Sequence, residues 1–249
     1  MIGEGAIRPA VLITIPLSHY CEKARWALDR LAIPYREKPH APLLSRVAGG
    51  TVPVLVHGGQ RFTDSRAILV RADSLCGGDR LYPRVSQLRS EVDALEERFD
   101  EELGPHARRW IYAQLLPHTR LLRSLWSRGV PRVEASLVPL IVPLARRLVR
   151  TSYKITAEAA QRSLERVRSV FREVDARLSD GRQYLTGERF TAADLTFAAL
   201  AAPMLLPAEC RAVQPVFDEV PAVMRDEILR LRDTRAGRFA LQMYSQERS

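Results

Sequence analysis

The sequence predicts an α+β domain built on a small mixed four-stranded sheet over residues 1–83, followed by an all-helical domain over residues 84–249. Three observations predict it. Short β-branched runs alternate with a helical pattern up to residue 75. The turn-rich stretch Gly77-Gly78-Asp79-Arg80-Leu81-Tyr82-Pro83 marks a boundary. Beyond Pro83 no strand-like alternation appears, and apolar residues recur every three or four positions.

Val11-Leu12-Ile13-Thr14-Ile15 is a β-branched run closed by Pro16 and reads as a buried strand. A helix follows over about Tyr20 to Leu31, with Ala24, Ala27, Leu28 and Leu31 on one face. Ile33 to Glu37 reads as a second strand that Pro34 confines to an edge or a strand start. Pro39 to Gly50 is a punctuated loop or helix. Pro53 to Val56 is a strand, His57-Gly58-Gly59-Gln60 a hairpin turn, Arg61 to Thr63 a short return strand, and Ser65 to Leu75 a helix. In the second domain three helical stripes stand out. They are Leu88, Val92, Leu95, Phe99 and Leu103, then Leu164, Val167, Val170, Phe171, Val174 and Leu178, then Val220, Met224, Ile228 and Leu231.

Composition narrows the function. The 249 residues are 46% hydrophobic and 27% charged, values of a globular chain. No apolar run approaches the ~20 residues that span a bilayer, so no integral membrane segment is expected. The apolar stretch Ala10 to Leu17 has Glu4 where a signal peptide carries basic residues, and no small-residue cleavage site follows. A cytoplasmic protein is expected. Cys21, Cys76 and Cys210 are too few and too scattered for a disulfide scaffold, and no cluster has metal-ligand spacing, so no metal is expected. The net charge of +9 comes from 35 arginines and three lysines against 29 acidic residues. Divided at residue 80, the excess falls on both parts and forms no block, which fits solvated helix faces better than a nucleic-acid partner.

Three segments carry the chemistry. In Ser18-His19-Tyr20-Cys21-Glu22-Lys23-Ala24-Arg25, the junction of strand and helix aims backbone N–H groups and a helix N-terminus at one point. A hydroxyl there can donate to a bound thiolate, and a cysteine there is expected to have a lowered pKa. Ser18 also reads as a helix N-cap and Cys21 as a small core residue. In Gly49-Gly50-Thr51-Val52-Pro53, a proline opening a strand suits a cis bond that turns the Val52 backbone toward a cleft. An ordinary trans proline fits the same residues. Asp64 and Ser65 open a helix, where amides can hold a carboxylate and Asp64 an ammonium, or simply cap it.

Together these segments resemble the glutathione transferase superfamily, across Val11 to Pro83. Its pattern has Ser, Tyr or Cys followed by Pro-Tyr-x-x-Lys-x-Arg after the first strand, then Val-Pro with a cis proline, then Glu/Asp-Ser. A fourth piece, Tyr184 to Leu195, resembles the capping-box segment of the family's helical domain, with Thr191 as N-cap, Asp194 at N3 and Phe190 with Leu195 as staple. The resemblance implies a thioredoxin-like first domain and glutathione as co-substrate. Ser18 would donate to the sulfur, Val52 and Pro53 would hold the cysteinyl backbone, and Asp64 and Ser65 the γ-glutamyl end. It also implies a small hydrophobic electrophile held by the helical domain and a homodimer.

Three departures qualify the match. His19 stands where proline is usual. Thr51 replaces a common lysine, leaving the glycyl carboxylate to Arg36, Lys38 or His40. Cys21 sits at the resolving position of a C-x-x-C with Ser18 at the nucleophile's. That pairing favours serine-type conjugation over a thiol–disulfide reductase using Cys21; a non-catalytic binding protein on the same fold is the third reading. Trp110 and Tyr112 could face the electrophile, although the surrounding segment reads more simply as an interhelical turn with Arg108 and Arg109 at the surface. Val130 to Arg150 reads as a buried core helix ended by arginines, with an amphipathic membrane-surface helix as the alternative.

Overall fold

The computed structural model describes residues 10–42, 44 and 50–248. Gly49 and most of the stretch between Pro42 and Gly50 lie outside the described residues, so the choice there between loop and helix is not addressed. The first domain runs β1 (Ala10–Thr14), α1 (His19–Arg30), β2 (Tyr35–Pro39), β3 (Val54–His57), β4 (Gln60–Phe62) and α2 (Ser65–Leu75). The sheet order is β2-β1-β3-β4, with β1 parallel to β2 and the other pairs antiparallel. Gly58 and Gly59 turn the β3–β4 hairpin with positive φ at both positions.

β2 lies two residues later than the sequence pattern places it. The reason is the end of α1. Ala32 adopts φ 52°, its N–H donates to Asp29 O, and Ile33 N–H donates to Leu28 O at 2.9 Å. That double closure consumes Ile33 in the helix cap. The strand therefore starts at Tyr35, opposite Ala10.

The second domain is helical: α3 (Ser86–Glu102), α4 (Gly104–Leu115), α5 (Thr119–Ser127), α6 (Arg132–Ser152), α7 (Ala157–Arg177), α8 (Ala192–Leu205), α9 (Ala222–Asp233) and α10 (Arg235–Glu247). Of the predicted stripes, those of α7 and of Val220 to Leu231 are wholly buried; on α3, Val92, Phe99 and Leu103 are. α8 is the central rod, buried on every side except at Pro203. Its start is fixed by Asp194, which accepts from Thr191 N–H at 2.8 Å and from Leu185 N–H at 2.7 Å. Burial pushes the Asp194 carboxyl up to about 6, against the pull of those hydrogen bonds.

α1 is not the one-faced helix its pattern suggests. Ala24 and Leu28 pack toward the sheet with Leu12, Leu55 and Ile68, while Trp26 and Ala27 join the core of the helical domain. Glu22, Lys23 and Arg25 are buried too. Each has a counter-ion. Lys23 Nζ lies 2.9 Å from Glu96 and 2.8 Å from Asp100, Arg25 lies 2.7 Å from Glu37, and Arg248 reaches Glu22 at 2.8 Å.

The reading of residues 130–150 as a buried core helix is overturned in part. α6 is one helix through Pro139 and Pro143, but only Val138, Val142 and Ala145 are buried. Val133, Leu137, Leu140, Leu144 and Leu148 form one exposed stripe, with Leu140 77% exposed. Pro139 and Pro143 are also exposed. Water there can serve the carbonyls that the proline nitrogens leave unbonded. Divided by element rather than at residue 80, the charge is also concentrated. Residues 116–156 hold seven arginines and Lys154 against Glu134 alone, a net +7 of the chain's +9.

Candidate functional site

Ile15 to Ser18 is a tight turn, closed by Ser18 N–H donating to Ile15 O at 3.0 Å. Ser18 then caps α1: its Oγ accepts from Cys21 N–H at 3.3 Å. Accepting leaves the hydroxyl proton free to donate elsewhere. Ser18 is half-buried and lines a cavity of about 470 Å³. Ile15, Leu17, His19, Gly50, Thr51 and Val52 line it from the sheet domain. Arg108, Ile111, Tyr112 and Leu115 of α4 face them, with Tyr153 and Pro203.

The six residues singled out from the sequence part company here. Ser18 and Val52 reach the cavity wall. The Val52–Pro53 peptide is cis, and Pro53 is buried behind it. Cys21 has no exposed surface and is not on the wall; its Sγ accepts from Ile15 N–H at 3.5 Å. Burial pushes its thiol up, against the pull of Arg25 and Ser18. The expectation of a lowered pKa at this junction is thus corrected: the helix N-terminus acts, but desolvation of a thiolate sealed in the core is larger. Asp64 is exposed and caps α2 by accepting from Ala67 N–H at 2.8 Å. Ser65 is buried, and neither residue lines the cavity. Arg36 and Lys38 are exposed off the wall, and His40 is bonded to Glu134 at 2.7 Å.

The His19 ring packs against that of Tyr20, centroids 4.7 Å apart and planes tilted by 36°. Burial, with the nearby Arg108 second, holds its imidazole down to about 3, so the ring is neutral at pH 7. Tyr20 explains Gly104: a Cβ there would stand 2.2 Å from the Tyr20 hydroxyl oxygen. Glycine lets α4 begin against α1, and that approach brings its lining face to Ser18.

That face was missed as a unit. Arg108, Ile111, Tyr112 and Leu115 are spaced 3, 1 and 3, one side of a helix. The signal was present, but the segment also reads as a turn. Tyr112 does face the cavity, stacked on Tyr153 at 5.8 Å. Trp110 does not; it is buried and lines a different hollow with Ala113 and Leu164. Arg108 is on the wall rather than at an outer surface. Tyr153 and Pro203 come from distant helices, and no local pattern links them to Ser18. Among the described residues no group of His, Cys, Asp and Glu side chains is arranged to hold a metal ion, and no helix is long and apolar enough to cross a membrane.

Two segments of the chain match known protein families. Residues 12–80 match the N-terminal domain of glutathione S-transferases and residues 157–224 the C-terminal domain. The fold is similar to the β-etherase LigF from Sphingobium sp. strain SYK-6, at 16% identity and TM-score 0.60 over 94% of this chain and 98% of that one. It is similar to the glutathione transferase GSTFuA3 from Phanerochaete chrysosporium at 16% identity and TM-score 0.60, over 97% and 98%. A theta-class enzyme from Xanthomonas axonopodis pv. citri, solved with glutathione bound, aligns at 16% identity and TM-score 0.53 over 94% and 96%. No curated protein sequence matches the chain. At these identities the structural likeness speaks for the fold.

Proposed function

Because the chain carries both domains of the glutathione S-transferase superfamily, we propose that it binds glutathione and transfers the sulfur to a small apolar electrophile. The observation that carries this reading is the shared cavity. Ser18, at the N-terminus of α1, and the apolar face of α4 line one space, while Cys21 is sealed from it.

A free thiol near pKa 8.5 is only a few per cent ionised at pH 7. A hydroxyl donor and a helix N-terminus together favour the thiolate by about one to two units, each unit being about 1.4 kcal/mol. Ser18 accepts from Cys21 N–H, and its hydroxyl proton can rotate to donate to the bound sulfur. The thiolate then forms a carbon–sulfur bond to the electrophile, and the leaving group departs with its electron pair. The cysteinyl backbone pairs with Val52. The γ-glutamyl end runs past the cis proline toward the N-terminus of α2, where Asp64 and Ser65 receive it. A reductase working through Cys21 has weaker support, since a thiol with no exposed surface and a raised pKa is a poor nucleophile. By analogy with the superfamily we take the protein to be a dimer, which sedimentation tests.

The test is a pair of substitutions. Ser18→Gly removes the hydroxyl and, as an N-cap, costs only a few tenths of a kcal/mol. Conjugation of glutathione to 1-chloro-2,4-dinitrobenzene should fall at least tenfold in kcat/KM while thermal unfolding barely moves. Cys21→Ala should leave that rate within twofold. An unchanged rate in Ser18→Gly, or loss in Cys21→Ala with a normal melting profile, rejects Ser18 as the thiolate's partner. Absence of glutathione binding at millimolar concentration rejects the transferase itself and leaves a non-catalytic protein.

A further inference from the structure

Among the described residues, Arg108 is the one charged residue lining the cavity. No described Asp or Glu stands on that wall, and the only other ionisable base among its described residues, His19, is neutral. Elsewhere in the fold, arginines that are partly or wholly buried are bonded. Its neighbour Arg109 donates to Tyr153 O at 2.8 Å and to Ser163 Oγ at 3.0 Å. Arg25 and Arg248 are tied to carboxylates. Arg108 instead lies with its guanidinium over two rings, 4.3 Å from the centroid of Tyr153 and 5.7 Å from that of Tyr20. Its Nε is buried and unpartnered. Rings attract a cation but accept no in-plane hydrogen bond, so the edge of the guanidinium stays unused.

A half-buried cation without an acceptor is costly, and here it stands beside an aromatic pair and the apolar Ile111 and Leu115. We propose that the electrophile site is built for a flat aromatic substrate carrying a carboxylate or similar oxyanion, which the Arg108 fork receives. The proposal rests on the transferase reading for its chemistry, but the anion site itself can be tested without turnover. Glutathione also carries carboxylates, so the source of the anion is part of the test.

Two acceptors differing in charge separate the cases. 4-Chloro-3,5-dinitrobenzoate and 1-chloro-2,4-dinitrobenzene undergo the same substitution: the thiolate sulfur bonds to the ring carbon and chloride leaves with the bonding pair. In the native protein the benzoate should have the lower KM, by tenfold or more. Arg108→Met should erase that preference, and Arg108→Lys should restore part of it, since an ammonium keeps the charge without the fork. A purely structural role would shift both acceptors together and leave their ratio unmoved. In parallel, 3,5-dinitrobenzoate and 1,3-dinitrobenzene are titrated into native and Arg108→Met protein without glutathione, followed by tryptophan quenching. Tighter binding of the benzoate that is lost in Arg108→Met supports the anion site even if no turnover is seen. Equal affinity for the two probes overturns it. A rise in the glutathione KM with both acceptors overturns it as well, by assigning Arg108 to a glutathione carboxylate.

The exposed stripe of α6 carries a second, independent inference. Val133, Leu137, Leu140, Leu144 and Leu148 occupy one side of a 21-residue helix. Arg132, Arg147 and Arg150 flank it, with Arg120 and Arg123 on α5, all exposed and none ion-paired among the described residues. A second copy laid symmetrically on this face would set these five arginines against five more. An anionic bilayer has the opposite charge and accepts leucines beneath its headgroups. We infer that this face docks on anionic membrane surfaces. Co-sedimentation with vesicles of phosphatidylglycerol and phosphatidylcholine at 1:3 should retain the protein at low salt and release it at 0.5 M salt. Pure phosphatidylcholine should retain several-fold less, and Leu140→Glu with Leu144→Glu should abolish retention. No retention on anionic vesicles overturns the inference. So does sedimentation equilibrium showing a dimer that this double variant dissociates.

Discussion

Two regions of this protein handle charge in opposite ways. Around α1, Glu22, Lys23 and Arg25 are buried, and each meets a counter-ion from a distant part of the chain. In the α5–α6 hairpin, seven arginines and Lys154 stand against Glu134 alone, and that carboxylate is spent on His40 and Ala41 N–H. The physical difference is solvent. A charge taken out of water must be paired or the fold does not form, whereas an exposed arginine needs no partner. The seam between domains is therefore held by specific ion pairs, and the hairpin is free to face something outside the molecule.

The sharpest way to break that contrast is Lys23→Met. It leaves Asp100 without an ion-pair partner among the described residues and Glu96 with only the Arg66 guanidinium at 3.5 Å, and the expected cost is about 3–5 kcal/mol, read from urea unfolding. Recovery on adding Glu96→Gln would show that the unpaired charge, not lost packing, carries the cost. Next is Asp194→Ala, which strands the buried N–H groups of Leu185 and Thr191 and should cost about 3 kcal/mol in the same assay. A third measurement is a histidine NMR titration. His19 is held down to about 3 against an ordinary 6.5. Its folded pKa is the lower one, so the unfolded chain binds the extra proton. Its contribution to stability is complete above pH 6.5 and is lost as pH falls toward 3, by up to about 1.4 kcal/mol per unit. Its ring signals should stay at their neutral position down to pH 4; a midpoint above 5.5 would contradict its burial. The smallest effect belongs to the hairpin. Leu140→Gln should shift stability by no more than about 0.5 kcal/mol, because the side chain leaves water in neither state. A loss above 2 kcal/mol would mean that the stripe is covered in solution.

Where structure follows from a few neighbouring residues, it was legible. The turn into α1 with Ser18 as cap, the glycine hairpin, the start of α2 and the Thr191–Asp194 capping box each depend on bonds spanning five residues or fewer. β2 was misplaced because Ala32 takes a left-handed cap conformation usually left to glycine, and nothing in Leu31-Ala32-Ile33 announces it. Cys21 reads in the sequence both as an activated thiol and as a small core residue, because the helix N-terminus is visible there and the burial that outweighs it is not. Arg108 was read as surface, since an arginine on a cavity wall and one in water look alike along the chain.

The sequence by itself determined the two-domain order, the anchoring of Ser18 at the head of α1 and the helical periods, because hydrogen-bond geometry and apolar spacing are local properties. Only tertiary structure decided which charges are buried, which face of α4 meets Ser18 and which side of α6 is left to solvent. Those outcomes turn on desolvation, and how much water a side chain loses is set by residues as far away as Arg248 from Glu22.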